Sequence, residues 1–219
     1  MNKRTATATL ALICIVGAAM AERMSIDIFS YVSVDSPDQG GLVQSLLRQK
    51  IINLAGEMRR ANKEVGELEN LRVNLRNAAL PDLGDLVQYW KSTHALEILS
   101  GAIVTDKPDK PRVLTSNVYL GDLQGSLSKS TISVVIELTP EEYTSWRDMH
   151  VALTLYALAM DAKTRRPLPR GVVSQYLAEA ESQLKSIQQQ ATLRSRQDVL
   201  ALAEAVKKEL AALKASSEP

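Results

Sequence analysis

Cysteine is nearly absent: the 219 residues contain one, Cys14. A single thiol excludes an internal disulfide framework and removes the thiolates from which many structural zinc sites are built. Histidine is scarce too, with His94 and His150 far apart and in no His-x-x-x-His spacing. No metal-ligand set follows from such a pair, and the expected places are a helix end for His94 and a partly exposed helix face for His150. Phe29 is the only phenylalanine, beside two tryptophans and six tyrosines, which leaves the core to Leu, Val, Ile and Ala. Charge of one sign is also lacking. With 26 Lys and Arg against 25 Asp and Glu, the chain has none of the basic excess that marks a nucleic-acid partner. There is no Gly-x-Ser-x-Gly elbow, phosphate loop or dinucleotide fingerprint, so no catalytic residue and no cofactor is expected.

The N-terminus has the zones of a secretory signal peptide. Lys3 and Arg4 are followed by an uncharged apolar run from Leu10 to Met20, and Ala19-Met20-Ala21 is a small-x-small site. Cleavage after Ala21 is expected. The run is shorter than the roughly 20 apolar residues that span a bilayer. Cys14 lies inside it, behind bulky Ile13, and reads as part of the apolar run, not as a lipid acceptor. Removing Lys3 and Arg4 leaves 24 basic against 25 acidic side chains and no cysteine. An exported chain without disulfides fits a bacterial periplasm better than a eukaryotic secreted module, and its stability must come from a packed core.

Residues 26–34 alternate as a strand, with Ile26, Ile28, Val32 and Val34 on one face and Phe29 and Tyr31 on the other. The turn-rich stretch 35–41 ends it, and apolar residues three and four apart predict a helix over 41–62. A loop or frayed helix end at 63–70 precedes a second strand over 71–76. Pro81-Asp82 opens a helix to Thr93. Strands follow over 96–104, 112–120 and 130–138, arranged as an antiparallel meander around a proline-rich turn at 107–111 and a glycine-containing loop at 121–129. Thr139-Pro140-Glu141-Glu142 is a capping box that starts a helix to about Ala162. Its stripe is Tyr143, Trp146, Met149, Leu153, Tyr156 and Met160. Two more helices are expected over 171–190 and 196–214, then a disordered tail over 215–219. The fold class is therefore α/β (α+β), a mixed five-stranded sheet with packed helices. An α/β domain over 22–139 is followed by C-terminal helices over 140–214, either in the same domain or as a small helical appendage. Ala152, Leu155, Tyr156 and Ala159 hint at a tetratricopeptide-like hairpin, without a second copy.

Three features invite a functional reading. Gly40-Gly41 before a helix places backbone amides where an anion can bind, or simply makes a turn. Glu141-Glu142 is a carboxylate pair, which the capping box explains. Lys163, Arg165, Arg166 and Arg170 form the one local charge excess. They suit anionic lipid headgroups or an acidic partner, or else complement a helix end and keep a loop solvated.

The order of elements, with the phrase His94-Ala95-Leu96-Glu97-Ile98-Leu99-Ser100-Gly101-Ala102-Ile103-Val104 ahead of a strand pair, resembles the periplasmic TolB N-terminal domain and the FlgO-like domains. The resemblance spans residues 26–138. The chain departs from it in lacking propeller repeats and in having Phe29-Ser30-Tyr31 where an opening strand ends in Pro-Phe. The resemblance implies a non-catalytic module of the cell envelope that binds protein partners; after signal cleavage no integral membrane segment is expected, and the basic cluster allows a peripheral membrane contact. A binding protein for a small molecule or glycan is the alternative, and an exported hydrolase a more distant one. The sequence predicts that the protein recovered from envelope fractions starts at Glu22. N-terminal sequencing checks this, and a chain that retains Met1 would refute it.

Overall fold

The structure is a computed structural model and describes residues 25–33, 37–61, 63–104, 112–121, 127–136, 140–164, 169–188 and 196–215. The elements are strand β1 (Ser25–Ser33), helix α1 (Pro37–Ala61), a 3-10 segment (Lys63–Asn70), β2 (Arg72–Arg76), α2 (Leu83–Thr93), β3 (Glu97–Val104), β4 (Arg112–Gly121), β5 (Leu127–Ile136), α3 (Pro140–Lys163), α4 (Arg170–Gln188) and α5 (Arg196–Ala215). The expected mixed sheet with packed helices is present. Its hydrogen-bonded order is β2-β1-β3-β4-β5. β1 pairs in parallel with β2 and β3, while β3–β4 and β4–β5 are antiparallel.

This order dictates the layers. The chain leaves β1 to reach β2 on one side, then crosses back over β1 to reach β3 on the other. Right-handed crossovers in opposite directions put their helices on opposite faces, and α1 and α2 are so placed. The main core joins α1, α3, α4 and α5 to one face of the sheet, through Ile26, Ile28, Leu99, Leu114 and Val118. On the other face α2 covers a smaller cluster of Phe29, Leu86, Ala95, Ile98 and Tyr119.

Three expectations are corrected. Helix α1 begins at Pro37, four residues before the expected start. Proline suits a first helical position, and Asp38 in that turn favours the positive end of the dipole, so the turn-rich stretch is partly helix. Second, β1 does not keep its alternation. Ile28 lies opposite Leu99, but Tyr31 lies opposite Gly101, so β1 carries one extra residue there. This bulge turns Tyr31 into the main core beside Ile26 and Ile28, and turns Val32 out to solvent at 52% exposure. Third, the last strand, Leu127–Ile136, begins three residues before the expected start at 130. Val34, the 107–111 turn, Thr139, the side chains of Glu141, Glu142 and Tyr143, and the tail from 216 lie outside the described residues.

Two glycines allow close approaches that the bulge requires. A Cβ on Gly101 would meet the Tyr31 ring and the Thr115 carbonyl oxygen, each at 2.3 Å. One on Gly40 would fall 1.9 Å from the Tyr31 carbonyl oxygen, whereas Gly41 faces open space. Gly40 is thus explained by packing of α1 on β1. Gly40→Ala is expected to cost about 1–3 kcal/mol as overpacking, while Gly41→Ala gains about 0.5–1 kcal/mol of helix propensity. Urea midpoints of the two variants check the opposite signs.

Candidate functional site

Side chains that carry chemistry gather at two places. The first is a charged cluster on the α2 face of the sheet. Asp27 of β1 is fully buried. The parallel register sets it beside Asn74 of β2. Its carboxylate accepts hydrogen bonds from Asn74 Nδ2 at 2.7 Å, from Arg76 Nη2 at 3.3 Å to both oxygens, and from the Tyr89 hydroxyl at 2.5 Å. Burial and the neighbouring Asp27 carboxylate push the Tyr89 phenol up to about 12, so it stays a donor across the ordinary pH range. Tyr89 also meets Phe29 edge-on at 5.3 Å between ring centroids and lies 5.9 Å below the Arg76 guanidinium. The cluster ties β1, β2 and α2 together with a buried charge that is paired on all sides, which is what makes such a charge tolerable.

The second is a polar seam in the main core, between α3 and the sheet. Trp146, His150 and Thr154 are four residues apart and share one side of α3. Trp146 Nε1 donates to Ser116 Oγ at 3.0 Å, and the Tyr31 hydroxyl is hydrogen-bonded to the same oxygen at 3.0 Å. Thr154 Oγ1 donates to Glu97 Oε2 at 2.6 Å. Glu97 and Ser116 lie on neighbouring strands, opposite Leu120 and Gly101 respectively, so the two hydrogen-bonded pairs mark the two ends of the seam. His150 lies between them against the Trp146 ring, at 4.6 Å between centroids. Neither of its ring nitrogens, nor Glu97 Oε1, has a hydrogen-bond partner among the described residues. Desolvation pushes the Glu97 carboxyl up to about 8 against the opposing pull of the Thr154 hydrogen bond. Desolvation likewise pushes the His150 imidazole down to about 3. Both groups are therefore neutral in the middle of the pH range.

His150 corrects an expectation: it is fully buried, not partly exposed. Helix α3 has no solvent side over most of its length. Val151, Ala152, Leu153, Leu155, Ala157, Leu158 and Ala159 are all buried, whereas Tyr156 and Met160 of the expected stripe are only partly so. A stripe presumes one covered face, and α3 has the sheet on one flank and α4 and α5 on the other. Asp148 is buried as well and pairs with Lys50 of α1 at 3.2 Å. His94 stands at the C-terminus of α2 in the left-handed region, at φ 52°, with its backbone N–H bonded to the Trp90 carbonyl.

The basic cluster is brought together only in part. Lys163 is ion-paired to Glu209 of α5 and so fastens α3 to the outer helix. Arg170 is exposed at the start of α4, and Arg165 and Arg166 lie outside the described residues, as do Ala19 and Ala21. Among the described residues no group of three or more His, Cys, Asp or Glu side chains is placed to hold a metal. Among them, too, no helix is long and apolar enough to cross a membrane. Sequence reading missed Asp27 and Glu97. The available signal was an acidic residue between apolar neighbours, Asp27 between Ile26 and Ile28 and Glu97 between Leu96 and Ile98.

On the α2 face, the cover stops short of the β1–β3–β4 ends. Val32 and Val104 are 52% and 43% exposed, and Ala102, Val113 and Thr115 beside them in the register are half-buried. Tyr89→Phe tests the charged cluster. It keeps the ring on Phe29 and removes one donor to a carboxylate, for an expected loss of about 1.5 kcal/mol, near the low end for charged partners because Tyr89 itself is only half-buried. A thermal or urea denaturation curve unchanged from the parent would refute that role.

No protein-family model matches the chain, and no curated protein matches it. Among solved structures, two PelC dodecamers from Paraburkholderia phytofirmans are similar. One is 15% identical with a TM-score of 0.29, covering 57% of this chain and 81% of that chain. The other is 16% identical with a TM-score of 0.28, covering 68% and 89%.

Proposed function

We propose that this chain is an exported, non-catalytic interaction module of the bacterial cell envelope, of the kind that the TolB N-terminal and FlgO-like resemblance implies. The observation that carries the reading is the asymmetry of the sheet. One face lies under two helical layers. The other is covered by α2 at one end and leaves Val32 and Val104 in solvent at the other. Half-covered apolar sheet surface is the type of feature through which a protein binds another. The chemistry-bearing groups support the same reading from the opposite direction. His150 and Glu97 are sealed in the core, where no substrate reaches them, and Asp27 is held by three donors. The N-terminal pattern of Lys3 and Arg4, an apolar run and Ala19-Met20-Ala21 supports export.

Photocrosslinking residues placed at 32, at 104 and, as a control, at the exposed Leu200 of α5 test this in intact cells. Adducts of defined mass are expected from 32 and 104 but not from 200. No adduct, or the same adducts from all three positions, would refute the assignment of this face.

A further inference from the structure

The seam between α3 and the sheet contains two fully buried ionisable side chains whose polar atoms are only partly matched. Glu97 is the sharper case. Its carboxyl is fully buried, one oxygen accepts from Thr154, and the other has no partner among the described residues. A carboxylate so placed leaves an uncompensated charge in the core, which is among the most destabilising arrangements a protein can hold.

Among the described residues, the groups that face it offer no counter-charge. From α3 come Thr154, His150 and, on another side of the helix, Asp148, which is paired to Lys50 of α1; Arg147 of α3 is half-buried. From β4 the same face brings Ser116, already bonded to Trp146 and Tyr31, and apolar Val118 and Leu120. From β1 it brings Ile26, Ile28 and Tyr31, while Asp27 turns to the opposite face with Tyr89 and Arg76. In the outer layers, α4 buries Tyr176, and Glu209 of α5 is committed to Lys163. Only the Thr154 hydrogen bond favours the charged form of Glu97.

We propose that this seam is a proton-operated latch, in which the neutral Glu97 carboxyl lets α3 lie on the sheet and its ionisation loosens α3 and opens the seam around Trp146. The inference does not depend on the interaction face argued above. Folded Glu97 keeps its proton to about pH 8, whereas the unfolded carboxyl loses it near 4.5. The folded chain therefore holds the extra proton between those values, and the stability linked to Glu97 declines as pH rises through that window. His150 acts with the opposite sign. It is lowered from 6.5 to about 3, so its contribution is complete above 6.5 and is lost as pH falls towards 3. The two nearly cancel between about pH 4.5 and 6.5, and above that range Glu97 alone acts, so the latch loosens towards alkaline pH.

Trp146 reports on the seam. The chain has two tryptophans, and Trp90→Phe in the full chain isolates its fluorescence. Quenching of Trp146 by acrylamide is expected to rise about twofold or more between about pH 6 and about pH 9, and to stay flat when Glu97→Gln is added, since glutamine keeps an acceptor for Thr154 without the charge. No rise in the Trp90→Phe chain, or an equal rise with Glu97→Gln, would overturn the latch. Should the glutamine variant not fold, infrared spectroscopy of the unaltered chain decides. A protonated-carboxyl band present near pH 6.5 and gone by about pH 9 is expected, and its absence near pH 6.5 overturns the proposal.

Discussion

A helix with no solvent-facing side has to be walled on both flanks, and α3 imposes that constraint on the whole molecule. The sheet and α1 form one wall, and α4 and α5 form the other. Its small residues Ala152, Ala157, Ala159 and Ala162 are all buried, which lets neighbouring elements approach closely. Large buried residues such as Trp146, Leu155 and Tyr176 of α4 each contribute on the order of 1.5–3 kcal/mol of transfer free energy. The same enclosure removes water from Trp146, Asp148, His150 and Thr154 on α3. Trp146 and Thr154 find partners on the sheet, and Asp148 finds Lys50. His150 finds only an aromatic face and stays uncharged. The buried polar groups of the core are therefore a consequence of where α3 sits.

The bulge in β1 is the second constraint, and it is coupled to the first. Without the extra residue, Tyr31 would follow Phe29 to the α2 face, and Ser116 would lose one of its two partners in the seam. With it, Tyr31 reaches both Ser116 and the edge of Trp146, at 6.0 Å between ring centroids. The bulk of that ring explains why position 101 carries glycine, and the close approach of the Tyr31 carbonyl to α1 explains glycine at position 40. The residue displaced outwards by the same shift is Val32, so the packing of the core and the exposure of the open face share one cause.

These particulars decide what was legible in the sequence. Strand β3 and helices α4 and α5 have simple apolar patterns, α3 has a capping box at its start, and the limits of all four were readable to within a few residues. The two faces of β1 were not, because a bulge shifts the alternation by one without leaving a glycine or proline in the strand to mark it. The burial of His150 was not legible either. A helix apolar on nearly every side has no periodicity from which to choose its inward face. Glu97 shows the same limit from the other direction. A single acidic residue at the start of a strand reads as a solvated end until the helix that covers it is in place.

The placement of ionisable groups bears directly on the kind of function the molecule suits. Catalysis by a side chain needs a group that titrates usefully and can be reached. Glu97 and His150 have strongly displaced proton affinities but lie behind α3, and Asp27 is fixed by Asn74, Arg76 and Tyr89. In such sites the displaced affinities are statements about stability. Among the described residues, the groups with strongly displaced proton affinities are enclosed. What is accessible at the open end of the sheet is apolar backbone-flanked surface around Val32 and Val104, and what is reactive is enclosed between α3 and the strands. If ionisation of Glu97 loosens α3, the same face of the sheet carries Leu99 two residues along β3 and Leu120 opposite Glu97 on β4, the strands whose reverse sides line the open face. A change in protonation within the core thus has a direct mechanical route, through two strands of one sheet, to the surface proposed to meet a partner.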